Sequence, residues 1–217
     1  EQLIQALPNA KSRIDINVRA ARADHAATDS LQLRRNIMLQ NLLYGTAPSL
    51  LYTLNQLQEL SLDLSSYFVI RCGIQPEPGA DDPLELIRQA CCLVQEQLSA
   101  YPSHPVLFSD RYAYLVLCAP ADFQPLPACL QAVQQADLCV SYILTIGISQ
   151  HQTDPAAMQH AAREADNAQQ FAETDRQFTV FSFENLPVPD RAVFERLDKL
   201  VDLVRTALEN NNRAGVA

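Results

Sequence analysis

A chain of 217 residues, 48% of them hydrophobic, is long enough to bury a substantial core. The formal net charge of −9 at pH 7 opposes direct binding to DNA or RNA, because that affinity comes largely from Lys and Arg side chains on phosphates. No apolar run is long enough to cross a membrane and the N-terminus lacks the pattern of a signal peptide, so we expect a cytoplasmic protein with no membrane partner.

The residue types that usually bind metals and cofactors are scattered along the chain. The six cysteines form no CxxC pair and most lie in apolar runs, which predicts buried free thiols. The four histidines lack the HxxxH and HExxH spacings of metal sites, and the five glycines form no phosphate-binding loop. We therefore predict neither a metal nor another cofactor.

The first predicted element is a long helix from about Lys11 to Tyr44, a stretch without Pro or Gly that ends at Gly45. A weak heptad seam runs along its first half, at Ile14, Val18, Ala21, His25 and Thr28. A richer apolar stripe follows at Leu31, Met38, Leu39, Leu42 and Leu43. We predict that this helix is a linker that pairs with a second copy through seam residues, and the alternative is a solvated helix without a partner. The candidate seam residues are Val18, Ala21, Met38 and Leu42.

The middle of the chain then alternates between helical and strand patterns. Leucines at helical spacing predict a short helix over residues 50–60, and a β-rich run predicts the first strand over residues 67–74. The string Asp82-Pro83-Leu84-Glu85 supplies the N-cap, the first-turn proline and the acid that start a helix. We expect that helix to extend to about Ser99.

The remaining elements of this region define the fold class. Two short apolar runs over residues 106–109 and 112–118, separated by Asp110 and Arg111, predict a tight hairpin. The elements after it are a helix from Pro125 or Pro127 to about residue 136, a strand over 139–149, a helix over 154–173 and a strand over 177–183. This order predicts an α+β fold with a ferredoxin-like or nucleotide-cyclase-like βαββαβ core. Its sheet is mostly antiparallel with helices on one face, because both crossovers are right-handed.

A final helix is predicted from Asp190, with an apolar stripe at Val193, Leu197, Leu200, Val204 and Leu208. The chain is accordingly divided into a helical linker over residues 1–45, an α+β domain over 46–187 and an exit helix over 188–217. We expect Leu197, Leu200 and Val204 to make the contacts of the exit helix.

The order of these elements, together with several short strings, resembles the GGDEF-like domain of bacterial regulators. The nearest pattern is the middle region of YesN-type response regulators, which carry an AraC-type DNA-binding domain, and of related regulators of the CdaR and PucR type. The strings that carry the resemblance are Leu42–Gly45, Phe108–Leu117, Thr145–Ser149, Glu164–Ala168 and Phe178–Phe183.

The resemblance implies a degenerate domain without catalysis. An active cyclase of this fold uses metal-holding carboxylates at the end of the first strand and in the hairpin turn. Here the first strand has Arg71 and no acid, and the hairpin has Asp110 followed by Arg111 in place of the family's glycines and glutamate. Asp110 and Arg111 could form a residual site for an unknown small molecule; the simpler interpretation is that they are turn residues.

The resemblance also implies a regulatory role. We expect a dimerisation and signal-coupling domain of an AraC-family regulator of the two-component type, which contacts DNA only through a domain absent from this chain. The expected partner is a second copy of the chain. The alternative is a divergent nucleotide-binding or nucleotide-cyclase-like enzyme of the same fold, and a third option is a stand-alone interaction module.

Overall fold

A computed structural model describes residues 30–47, 49–76, 82–107, 109–139, 142–174 and 179–187, together with Arg196 and Lys199. The chain divides into two compact units, Glu1–Asp63 and Leu64–Ala217. Several residues predicted to contact a second copy or to couple the domains lie outside the described residues: Val18, Ala21, Leu197, Leu200 and Val204.

In the first unit, the described residues from 30 onward form two helices joined by a short turn. Helix α1 comprises residues 30–44, and helix α2 spans Leu50–Glu59. Gly45 ends α1 with φ of 67°, a conformation that suits glycine, and Thr46 N donates to Asn41 O at 2.8 Å. The predicted end of the N-terminal helix at Gly45 is confirmed.

The apolar residues of α1 fall into a buried set and an exposed set. Met38 and Leu42, two of the predicted seam residues, are 5% and 6% exposed in the folded chain. Leu33 and Ile37, one helical turn apart, are 61% and 49% exposed. The dimer role of Met38 and Leu42 stays a prediction, and the exposed aliphatic pair of α1 is Leu33 with Ile37.

The second unit is built on one five-stranded sheet with strand order β2-β3-β1-β4-β5. The strands are β1 (Phe68–Pro76), β2 (Ser103–Leu107), β3 (Tyr112–Leu117), β4 (Tyr142–Ile148) and β5 (Val180–Ser182). The helices described between residues 64 and 187 are α3 (Pro83–Gln97), α4 (Leu126–Cys139) and α5 (Met158–Thr174), with 3₁₀ turns at Pro155–Ala157 and Phe183–Asn185. All pairs are antiparallel except β4 with β5. The predicted α+β fold with a βαββαβ core is confirmed.

The two faces of this sheet have different coverings. On one face, alternate strand residues such as Ile70, Cys72 and Ile146 pack with α3 and α4 in the main hydrophobic core. The other face carries Arg71 and Gly147, which are paired across β1 and β4, and α5 packs on this face. The prediction of helices on one face holds for the two core helices, whereas α5 covers the second face.

Several predicted strand boundaries differ from the structure by a few residues, and two of these differences have a clear physical reason. β2 begins at Ser103 rather than at residue 106 and includes Pro105, which a strand at the edge of a sheet tolerates because one side makes no ladder hydrogen bonds. Cys139 ends α4 rather than opening β4, since a short apolar run fits either a buried helix or a buried strand. In the described part of the chain, no helix has the length and apolar content to cross a bilayer.

Candidate functional site

The predicted hairpin turn lies beside the end of β1. Ile74 N donates to Arg111 O at 2.8 Å, which ties the turn to that strand. The hydroxyl of Ser109 accepts hydrogen bonds from Arg111 N and Tyr112 N, both at 3.1 Å, so a serine side chain closes the turn. Asp110 and Arg111 are both exposed there, which leaves their side chains accessible to a ligand.

A cleft of about 500 Å³ opens next to this turn, and we call it the hairpin cleft. It is lined by Arg71, Gly73, Ile74, Gln75, Pro76, Arg111, Tyr112, Gln169 and Glu173. Of the two residues predicted to form a residual site, Arg111 lines this cleft and Asp110 does not. No three His, Cys, Asp or Glu side chains come together as metal ligands among the described residues.

Arg71 is the central side chain of the hairpin cleft. Its Nη1 lies 3.2 Å from Asp166 Oδ1, and only 15% of its side chain is exposed. Its guanidinium carbon lies 4.5 Å from the centre of the Tyr112 ring and 5.9 Å from that of Tyr114. Its Nε is buried and has no hydrogen-bond partner among the described residues. One carboxylate and two aromatic rings therefore stabilise the buried positive charge of Arg71, and its Nε–H is left without a hydrogen bond in the described part of the chain.

Tyr114 extends this network to the neighbouring strand. Its hydroxyl donates a hydrogen bond to Asp166 Oδ1, the same oxygen that Arg71 approaches. Burial, followed by the negative charge of Asp166, raises the pKa of Tyr114 well above its usual range. The phenol consequently stays protonated and remains a hydrogen-bond donor, so Asp166 is engaged from two sides.

Gln169 fixes the opposite wall of the cleft to the sheet. Its Nε2 donates to Thr145 Oγ1 at 2.8 Å and to Glu173 Oε1 at 2.5 Å, and Thr145 Oγ1 donates to Gly73 O at 3.3 Å. The close approach depends on glycine, because a Cβ on Gly73 would stand 2.4 Å from Gln169 Nε2. The cleft wall is thus a packed helix and not a mobile loop.

From the sequence, Arg71 was recognised as a cation in the first strand, where an active cyclase has a metal-binding carboxylate, but the residues that contact it were not predicted. Asp166, Tyr114 and Gln169 were not predicted as site residues. A charged residue inside an apolar strand has to find a partner, and this was the available signal. The sequence alone did not say that the partner comes from α5, because α5 was not expected on that face.

A second, smaller cleft of about 150 Å³ lies at the other end of the sheet, where β1 begins and β4 and β5 end. We call it the His151 cleft. It is lined by Phe68, Ala121, Phe123, Gln124, Pro125, Leu126, Ile148, Ser149, His151, Ser182, Glu184 and Asn185. Sequence reasoning assigned no role to His151, which is not part of any motif.

Solved structures similar to this chain include two cyclase-type domains. The GGDEF domain of DgcB from Caulobacter crescentus, in complex with c-di-GMP, has a TM-score of 0.44 and 11% identity over 61% of this chain and 84% of that chain. The active GGEEF domain of a diguanylate cyclase from Vibrio cholerae has a TM-score of 0.42 and 15% identity over 60% of this chain and 88% of that chain.

A third similar structure is the regulator of polyketide synthase expression from Bifidobacterium adolescentis. It has a TM-score of 0.45 and 13% identity over 72% of this chain and 60% of that chain. No protein-family model matches the sequence, and no curated protein is similar to it. The fold assignment rests on the strand order and register described above.

Proposed function

We propose that this chain is a non-catalytic regulatory domain that couples a signal to the arrangement of a homodimer. It would belong to a bacterial transcription regulator of the AraC family and the two-component response-regulator type. DNA would be contacted only through a domain outside this chain, since a net charge of −9 opposes direct binding. The observation that carries the proposal is the position of Arg71 in the hairpin cleft.

A cyclase-type site gathers metal ions with carboxylates, whereas the hairpin cleft is lined by two cations and one carboxylate. Arg71 and Arg111 both line it, and the nearby carboxylate of Asp166 is already paired with Arg71. The other carboxylate of the cleft, on Glu173, accepts a hydrogen bond from Gln169. Two guanidinium groups that line the same cleft oppose the binding of a divalent cation there, which supports the absence of catalysis.

The exposed apolar residues of α1 support the expectation of a dimer. Leu33 and Ile37 lie four residues apart, which places them on one side of the helix. Covering such an exposed apolar pair with a second helix removes it from water and therefore lowers the free energy of the system. The same helix of a second copy would cover Leu33 and Ile37. A change in the arrangement of the two paired helices could then carry the signal through the dimer.

The test is the oligomeric state of the 217-residue chain, measured by sedimentation velocity over a range of concentrations. We expect a concentration-dependent dimer. Replacing both Leu33→Glu and Ile37→Glu should raise its dissociation constant by about ten-fold or more, since both charges would have to be buried in the contact. A matched control is Leu130→Glu in α4, which is 42% exposed and lies in the other unit.

Two outcomes would overturn the dimer proposal. One is a monomer at every concentration, and the other is an equal effect of the α1 and α4 substitutions. The circular-dichroism spectrum of each variant should match that of the parent chain, because all three substituted positions are exposed.

A second candidate function is a divergent nucleotide-binding or cyclase-like enzyme. The volume of the hairpin cleft, together with Arg111 and Tyr112 on its wall, favours it because arginine binds phosphate groups. The discriminating assay is incubation with GTP or ATP and Mg²⁺, with products resolved by chromatography. We expect no turnover, and Mg²⁺-dependent turnover that is lost in Asp110→Ala would establish the enzyme instead.

A further inference from the structure

The His151 cleft is built around a histidine whose position is set by its neighbours. The adjacent backbone is held by a two-way bridge, in which Tyr67 N donates to Gln152 O and Gln152 N donates to Tyr67 O, both at 2.9 Å. The ring itself contacts Phe68 edge-on, with 5.2 Å between ring centres. His151 is therefore held in place without any ligand.

One hydrogen-bond chain fixes which ring nitrogen carries the proton. Ser66 Oγ lies 2.8 Å from Ala119 O and 2.8 Å from His151 Nε2. A carbonyl oxygen only accepts, so the single hydroxyl proton of Ser66 goes to Ala119 O. His151 Nε2 must then donate to Ser66 Oγ, which leaves Nδ1 as an acceptor in the neutral ring. Nδ1 has no partner among the described residues.

The other polar groups of the cleft include one acceptor-only group, the carboxylate of Glu184, and the hydroxyl and amide groups of Ser149, Ser182, Gln124 and Asn185, which both donate and accept. Ser182 makes no capping hydrogen bond with its side chain, and Glu184 in the next turn is exposed and has no ion pair within the described part of the chain. Ser149 is different, because its hydroxyl already accepts from Val69 N and donates to Gln150 O. Glu184 is the one charged residue among those that line the cleft.

The walls of the cleft are apolar and limit what can enter. Phe68, Ile148 and Leu126 line it, and Phe123 is held against Tyr101 with 4.3 Å between ring centres. A volume of about 150 Å³ is comparable to a cavity that admits benzene. The cleft therefore accommodates a single ring or a short chain.

We propose that the His151 cleft binds a small organic amine with one ring or a short apolar chain. The cleft combines available acceptors, one carboxylate, no Lys or Arg side chain among the described residues that line it, and apolar walls, and this combination matches a ligand with N–H donors and a positive charge. Anions such as phosphates and carboxylic acids are disfavoured, because Glu184 would repel them and no described Lys or Arg side chain lines the cleft. The amide groups of Gln124 and Asn185 can donate hydrogen bonds but carry no charge to offset that repulsion. This site goes beyond the proposed coupling role and does not depend on it.

The test compares two probes that share a ring and differ in charge. Benzylamine and benzoate are titrated into the full 217-residue chain, and binding is followed by calorimetry and by the NMR signals of the His151 ring. We expect saturable binding of benzylamine with a change at His151, and no saturable binding of benzoate. Equal binding of both probes, or saturation by neither, would overturn the proposal.

Two substitutions locate the binding. Glu184→Gln removes the charge with little change of shape and should weaken benzylamine binding by about three-fold or more, as expected for an exposed ion pair. The matched control is Glu85→Gln in α3, which is also exposed and lies outside the cleft. If both variants bind benzylamine equally well, the amine does not sit at Glu184 and the proposal fails.

His151→Phe keeps an aromatic ring against Phe68 and removes the acceptor. We expect at least about a five-fold loss of benzylamine affinity from a lost hydrogen bond, with the fold checked by circular dichroism. Unchanged affinity in a folded variant would contradict the role of Nδ1. The dimer dissociation constant, measured separately, distinguishes a failure of this site from a failure of the proposed coupling function.

Discussion

The two ends of the sheet carry clefts that differ in charge. The hairpin cleft is lined by two guanidinium groups, Arg71 and Arg111, and one carboxylate, Glu173, whereas the His151 cleft is lined by one carboxylate and by no Lys or Arg of the described residues. The difference follows from where the polar groups sit. Arg71 lies inside a strand, and its charge is balanced by Asp166 of the helix that packs on that face. Most polar groups of the His151 cleft lie on connecting segments near solvent, where they keep spare hydrogen-bonding capacity.

The hairpin cleft therefore depends on the close packing of α5 against the sheet, and the His151 cleft does not. The substitution Gly147→Ala tests that dependence most severely, because the new Cβ would stand 2.1 Å from Ala165 O and 2.3 Å from Gln169 N. Both are backbone atoms that cannot rotate away. We expect a loss of about 3 kcal/mol in the free energy of unfolding, measured in urea.

Gly73→Ala is the control for this prediction. Its new Cβ would meet Gln169 Nε2 at 2.4 Å, which is the end of a side chain and can move at the cost of its hydrogen bonds. We expect a smaller loss, about 1 to 2 kcal/mol. A Gly147→Ala variant that is as stable as the parent chain would contradict the close packing of α5 on the sheet.

The next effect concerns the buried ion pair. Asp166→Asn leaves Arg71 with a charge and no carboxylate while Tyr114 keeps an acceptor, so the change isolates the charge. We expect a loss of about 2 kcal/mol in the free energy of unfolding at neutral pH, because a largely buried cation would be uncompensated.

The exposed pair between Arg34 and Glu59 supplies a matched comparison. Its side chains are 54% and 60% exposed and lie 3.5 Å apart. Glu59→Gln should change the free energy of unfolding by less than about 0.5 kcal/mol, since water screens both charges. Equal effects of the two substitutions would mean that Arg71 is better solvated than its 15% exposure indicates.

The smallest effect is expected at the other end of the sheet. Ser66→Ala removes the group that accepts the proton of His151 Nε2, and we expect a loss of about 1 kcal/mol. The more specific measurement is the nitrogen chemical shifts of the His151 ring. In the parent chain the proton should reside on Nε2, and in the variant this preference should weaken. An unchanged tautomer would show that Ser66 does not set it.

The order of elements was determined by the sequence itself. The periods of the apolar residues predicted every described strand, and the cap at Asp82 was predicted from its side chain and is confirmed, since Asp82 Oδ1 accepts from Leu84 N. Gly45 ended α1 where it was expected to. These features depend on interactions between residues close in sequence, which local patterns encode.

Within the second unit, only the tertiary structure decided which residues contact each other across the sheet. An apolar or charged residue indicates that it needs a partner but not which one, and Arg71 with Asp166 shows this for a charge. The His151 cleft combines the start of one strand, the ends of two others and a loop, so no local pattern could have revealed it. Contacts of this kind arise from crossovers that bring distant segments together, and only the folded chain defines them.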